Sequence, residues 1–191
     1  MEIGKTLYVA NRREWRAWLR KNYKKERDIW LIYYKKDSGK PRIPYNDAVE
    51  EALCFGWIDS IIKKMDAERF VQRFSKRNPK SPYSQANTER LQAMIAEGKV
   101  AKDVLEALPA LDDPVEKTFI VPPDILMAVK ADKAAWKNFQ KLSPGYIRIR
   151  VGYIDRSRSH PDFFKKRLDY FVKMTAKGKT FGYGGIEKYY K

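Results

Sequence analysis

Trp57 and Asp59 stand two residues apart, and are followed by the cations Arg73, Arg77 and Lys80 and then by Ser84 and Asn87. If residues 57–64 form a strand, Trp57, Asp59 and Ile61 face one side and Ile58, Ser60 and Ile62 the other. A carboxylate on a partly buried sheet face needs partners, and Arg69 or Arg73 on the returning strand could supply bidentate ones. Two readings stay open: a structural Asp–Arg clamp that fixes the hairpin, or a small site with Trp57 as a wall and Asp59 as an anchor. Beside it, Arg73, Arg77 and Lys80 lead into the N-terminus of a helix capped by Ser84. The free N–H groups and dipole of such a terminus favour an anion, with Asn87 as a further polar contact. The chemistry is that of holding a phosphate or a carboxylate. As a solvated face, the same cations need no ligand.

Catalytic groupings are sparse. Cys54 lies opposite the apolar stripe of its helix with Glu50 one turn back, and a neighbouring carboxylate raises a thiol pKa, the wrong direction for an activated nucleophile. Packing is its plainer role. Glu50 and Glu51 point to different sides of one helix, a poor geometry for an acid/base pair. His160, just before Pro161 in a basic turn, reads as a loop residue. There is no Gly-x-x-x-x-Gly-Lys phosphate loop and no Gly-x-Ser-x-Gly elbow, and the glycines at 182, 184 and 185 follow no clear strand. The one cysteine and one histidine lie more than 100 positions apart, so they make no structural zinc site. No cofactor and no metal are expected.

Periodicity supplies the elements that position these residues. Leu7 and Val9 alternate as a strand; Asn11 then caps a helix carrying Trp15, Trp18 and Leu19. "DIWLIYY" is a second strand, ended by the turn signal "DSGKP". From Tyr45 the apolar residues recur at helical spacing, and Gly56 fits the left-handed position beyond that helix. "WIDSIIKK" and "RFVQRFSKR" form an antiparallel hairpin around "MDAE". Ser84 opens a helix that stops near Gly98, and a short helix over 104–108 follows. Prolines at 109, 114, 122 and 123 predict a connector over 109–123. Helices follow over 124–131, 134–142, about 146–156 and 162–176, and the glycine-rich tail 178–191 is expected to be mobile or draped on the surface. The organisation expected is thus an α+β domain over 1–108, with a small antiparallel sheet, and an all-helical C-terminal domain over 124–177.

With 191 residues and 43% hydrophobic content, the chain can build one large core or two small ones. No apolar run reaches the ~18 residues that span a membrane, and the N-terminus lacks the pattern of a secretory signal, so a soluble cytoplasmic protein is expected. Charge is the strongest compositional signal: 40 Lys and Arg against 24 Asp and Glu, a net +16. Such a surface attracts polyanions and repels cationic peptides, although a net charge far from zero also serves solubility alone. Residues 141–179 hold eleven cations against Asp155, Asp162 and Asp169. There Tyr146, Tyr153, Tyr170 and Phe171 interleave with basic residues, a pattern that can stack bases on aromatic rings and that amphipathic helices also produce for packing alone.

"VEEALCFGWIDS", the basic hairpin and "SKRNPKSPYSQANTERLQAMIAEGKV" resemble the YdeI/OmpD-associated, or bacteriocin-protection, family. "EWRAWL", "IWLIYYKKDSG" and "VPPDILMAVKADKAAWKNFQKLS" extend the resemblance through nearly the whole chain. Tyr83 departs from it, standing where the family usually has Trp, and "HPDFFKKR" replaces a late Thr-Arg pair. The resemblance implies an α+β first part, a helical second part and a link to envelope stress and protection from peptide antibiotics; it implies no reaction. The leading expectation is a non-enzymatic protection protein that binds a small anion or a protein partner through Trp57, Asp59, Arg73, Arg77, Lys80, Ser84 and Asn87. The alternatives are nucleic-acid binding by the late basic helices, or an enzyme acting on a small anionic substrate. The oligomeric state is left open.

Overall fold

The computed structural model describes residues 2–108 and 119–191, so most of the expected connector lies outside the described residues. The chain divides into two compact units, Met1–Pro82 with Arg90–Pro109, and Tyr83–Glu89 with Ala110–Lys191. The first is α+β and the second helical.

In the first unit, strands β1 (Thr6–Tyr8), β2 (Asp28–Tyr34), β3 (Trp57–Lys64) and β4 (Arg69–Lys76) form one sheet in the order β1-β2-β4-β3. The sheet is not wholly antiparallel as expected, because β1 runs parallel to β2, pairing Thr6 with Trp30. Parallel neighbours need a crossover, and helix α1 (Arg12–Asn22) supplies it. Asn11 caps that helix by accepting from the Glu14 N–H at 3.1 Å, while Glu14 accepts from the Ala10 N–H at 2.9 Å. The reciprocal pair satisfies donors that a helix start leaves open.

Helix α2 (Tyr45–Cys54) is followed by Gly56 at φ +69°, the left-handed value that glycine adopts without strain. The turn therefore delivers Trp57 directly into β3. Ile29, Leu31, Phe74 and Trp57 bury one sheet face, and Trp15 and Leu19 of α1 with Val49, Ala52 and Leu53 of α2 are buried too. Trp15 packs edge-on against Phe74 with ring centroids 5.5 Å apart, and its indole N–H donates to the Ala48 carbonyl at 3.0 Å. Full burial of such side chains contributes about 1.5–3 kcal/mol each before the entropy of ordering them is subtracted.

Helix α3 (Gln85–Ala96) is counted in both units, residues 85–89 in the helical unit and 90–96 in the α+β unit. Ser84 caps it as expected, accepting from the Asn87 N–H at 3.2 Å. Helix α4 spans Lys102–Glu106, two residues earlier than the periodicity suggests, with Ala101 as its cap.

The second unit holds α5 (Pro123–Ala131), α6 (Lys133–Phe139), α7 (Pro144–Asp155) and α8 (Pro161–Ala176). Proline opens three of them, where its missing N–H costs nothing. Ile125, Val129, Phe139, Tyr146, Ile154 and Phe171 form the core. The tail, expected to be mobile or draped on the surface, lies against α7. Its 3-10 turn Ile186–Tyr189 buries Ile186 completely, and the Gly145 N–H donates to the Lys191 carbonyl at 2.8 Å. A side chain at Gly145 would strike the carbonyl oxygens of Tyr189 and Lys191, so the absence of one is what lets the tail dock.

Candidate functional site

The residues expected to form the junction site are largely committed to other contacts. Trp57 is fully buried; its N–H donates to the Tyr23 carbonyl at 3.2 Å and its ring meets Trp18 edge-on at 5.8 Å. Asp59 does not meet Arg69 or Arg73. The register pairs Asp59 with Phe74, and directly paired residues of antiparallel strands share a face. Asp59 is therefore on the Gln72 and Phe74 side, whereas Arg69 and Arg73 are on the other. Arg73 binds Asp28 across β2 and Arg69 binds Asp66 in the hairpin turn. Instead, Asp59 accepts at one oxygen from the Tyr45 hydroxyl at 3.0 Å and from the Gln72 amide at 2.8 Å. Burial raises its pKa above the usual carboxylate value, although the Tyr45 hydrogen bond and the Arg90 charge pull the other way. The Arg77 N–H closes the turn on the Gly56 carbonyl, and Lys80 is exposed with its N–H on Asn78. Ser84 and Asn87 belong to the helical unit's share of α3.

Glu50 and Glu51, read as pointing apart, are brought together by one guanidinium. Arg12 donates to Glu50 at 2.7 Å and also to Glu51, and Arg16 holds the other Glu51 oxygen at 2.6 Å. Both carboxylates are buried. Asn46 donates to Glu50 and accepts from Arg90 at 2.9 Å, so the network reaches α3. Burial lowers the Arg12 pKa, but hydrogen bonds and charge from Glu51 and Glu50 outweigh it and leave Arg12 firmly protonated. The signal for this network was the four-residue spacing of Arg12 and Arg16 on the face of α1 beside Trp15 and Leu19, opposite adjacent glutamates in α2.

A concave site lies in the helical unit. Arg150, Tyr153, Lys166, Arg167, Tyr170 and the tail residues Phe181 and Tyr183 line a pocket of about 420 Å³, within the size range of small-molecule sites. Arg150 is buried, 3% exposed, yet its Nε and Nη2 atoms have no hydrogen-bond acceptor. Aromatic rings surround it: Phe181 at 5.3 Å, Tyr183 at 5.5 Å, Tyr153 and Tyr190 at 5.8 Å. Burial pushes the Tyr190 hydroxyl up to about 12, so this ring meets Arg150 as a neutral face and not as a phenolate. Cation–π contact offsets part of the desolvation of a guanidinium but offers its N–H groups no acceptor. Arg167 stacks on Tyr153 at 3.7 Å and donates to the Tyr153 carbonyl at 2.9 Å, which fixes that wall. Of the other residues expected in base stacking, Tyr146 and Phe171 are core; among the basic residues between them, Arg158 is held by Asp124 and Asp155.

Residues 7–107 match the family model described as Domain of unknown function (DUF8412). The chain belongs to the DUF8412 family. Residues 118–178 match a second model, described as Bacteriocin-protection, YdeI or OmpD-Associated. The resemblance read from the sequence is thus present, and it is the helical segment that matches; the stretch 49–60 falls within the DUF8412 match. No curated protein and no solved structure matches the chain.

The DUF8412 part holds the buried Arg12–Glu50–Glu51 network, and the YdeI/OmpD-associated segment holds Arg150, Tyr153, Lys166, Arg167 and Tyr170. In the DUF8412 part, Cys54 is buried, and burial together with the Glu51 charge raises its thiol pKa to about 11. His160 caps α8 at an exposed turn, its ring beside the Ser159 hydroxyl at 3.0 Å. Among the described residues no cluster of three or more His, Cys, Asp or Glu is placed to hold a metal, and no helix is long and apolar enough to cross a membrane.

Proposed function

We propose that the protein binds a small anionic ligand in its helical unit, at the pocket floored by Arg150. The observation that carries this reading is the buried guanidinium with two nitrogens lacking acceptors. A charge kept out of water without full hydrogen bonding is costly, and an entering anion would supply what the rings do not. Lys166 and Arg167 add two cations, and among the described residues no carboxylate lines the same walls. The junction residues are weaker candidates, since Trp57 is enclosed and Arg73 is already bound to Asp28.

The description of the matching family model associates this segment with bacteriocin protection. If the chain has a protective role through this pocket, the role works through an anion. Three cations at one mouth repel a cationic peptide, so direct capture of such a peptide is disfavoured.

A thermal-shift screen with inorganic phosphate, pyrophosphate and small carboxylates at 50 and 200 mM salt tests the reading. A ligand that binds only the native state raises Tm. We expect one small anion to do so at both salt concentrations, and Lys166→Glu to abolish the rise while leaving the unliganded Tm within a degree or two. No rise with any anion, or an equal rise in Lys166→Glu, overturns it.

A further inference from the structure

Resting on that reading, we infer that the ligand of the Arg150 pocket carries a flat aromatic ring beside its anionic group, and that the group is a phosphate ester: an aryl or nucleoside phosphate. The cations account for only part of the wall. Tyr170 is 49% exposed on this concavity, while Tyr183, 44% exposed, has Arg150 over its ring at 5.5 Å and Tyr153, 42% exposed, has Arg167 stacked on its face. Large aromatics left half in water at one mouth are an unfavourable use of apolar area unless something flat covers them. Phe181 sets the geometry: it meets Tyr170 edge-on with centroids 4.9 Å apart and planes at 75°. That contact fixes the tilt of the Tyr170 ring and presents a rigid aromatic surface.

The charge count selects phosphate over a carboxylate. Arg150, Lys166 and Arg167 lie on one lining, and a phosphate monoester at neutral pH brings up to two negative charges and three acceptor oxygens to meet them. Glu187 is not on the lining, although its carboxylate lies against the lining residue Gly182, where a side chain would collide with it. A polynucleotide end and a free nucleotide present the same ring-plus-phosphate chemistry, and binding assays can separate them.

The test is isothermal titration of the full chain with inorganic phosphate, phenyl phosphate, AMP, adenosine and a single-stranded oligonucleotide, at 50 and 200 mM salt. Phenyl phosphate or AMP should bind at least about fivefold more tightly than inorganic phosphate, the lower end of what stacking one base on an aromatic side chain is worth. Adenosine, lacking the charge, should bind weakly. Tyr170→Ala should remove most of the gain for AMP while leaving phosphate binding within about twofold, and Lys166→Ala should weaken both. Tyr170→Leu keeps the apolar bulk and should fail in the same way as Tyr170→Ala if the face of the ring is what matters. An oligonucleotide that binds more tightly than AMP and still depends on Tyr170 names the polymer as the source of the same chemistry. Equal affinity for phosphate and AMP overturns the inference and leaves anion binding standing. No binding of any anion removes both.

Discussion

Single side chains carry the clearest consequences. Asp59 accepts both of its side-chain hydrogen bonds at one oxygen, so an asparagine amide oxygen can occupy that position. Because the folded-state pKa is raised, the folded protein holds the proton to higher pH than the unfolded chain does. Stability from this group is fully present below the unfolded pKa and is lost as pH rises through the raised folded value. Asp59→Asn should therefore flatten the pH dependence of stability above the unfolded carboxylate pKa of about 4 and cost no more than about 1 kcal/mol at pH 7; denaturant melts of both proteins as a function of pH would check it. An unchanged slope would mean that Asp59 is not held protonated. Arg12→Ala is the harsher change. It removes the Arg12 ion pair from the buried Glu50 and from Glu51, so a loss of roughly 2–3 kcal/mol is expected by urea unfolding, discounted because Arg12 is partly exposed. A loss under 0.5 kcal/mol would show that water reaches both carboxylates. The sequence did not make these partners legible. Asp59 is found at its expected place on β3, but the partner of a strand residue depends on which face the register puts it on, and one position separates Gln72 from Arg73. Arg12 and the two glutamates are 38 and 39 residues apart, a separation at which only tertiary packing decides the contact.

At the scale of elements, local chemistry was readable wherever a cap or turn fixed it. Asn11 and Ser84 start their helices, Gly56 ends the α2 turn at positive φ, and the prolines at 123, 144 and 161 open α5, α7 and α8. How the tail is held was not legible because the hold is not periodic: Ile186 packs singly, and the docking partner is a glycine whose lack of a side chain shows only in space. Gly145→Ala should accordingly lift the tail from α7. We expect a lower Tm, by the roughly 1–3 kcal/mol of an overpacked site, and rapid proteolysis within 178–191 while the helical core persists. Protection of the tail equal to that of the parent protein would contradict the docking role. The α-helical pocket was half legible: Tyr153 and Tyr170 stood out among the basic residues, but Phe181 and Tyr183 reach it only because the tail folds back. In the sheet, the register shift between Asp59 and Ile62 interrupts the ladder on the edge strand β3, next to the exposed Ile61 and Ile62. A bulge and the adjacent Lys63 and Lys64 make that edge a poor template for a further strand.

For the whole molecule, the +16 charge acts at a distance and the pocket at contact. Nonspecific binding to nucleic acid through surface Lys and Arg should weaken steeply between 50 and 200 mM salt, by about 10³-fold or more if six or more phosphates are engaged; a single pocket ligand should lose far less. Filter binding with random duplex DNA beside titration with AMP would separate the two, and parallel slopes would mean that the pocket contributes nothing distinct. The division into units bears on how the chain can be taken apart. Residues 83–89 belong with the helical unit although they lie inside the 7–107 match, and there Glu89 neutralises the buried Arg148 while Gln85 lies against Gly152. A fragment cut at 110 would thus leave an internal guanidinium without this carboxylate and a glycine facing a missing neighbour. The two sequence matches look like modules that could be traded between proteins, but the seam in the packing runs elsewhere. An exchange made at the seam between the matches would transplant an incomplete core, and a graft that respects the fold has to carry the first turn of α3 along with the helices.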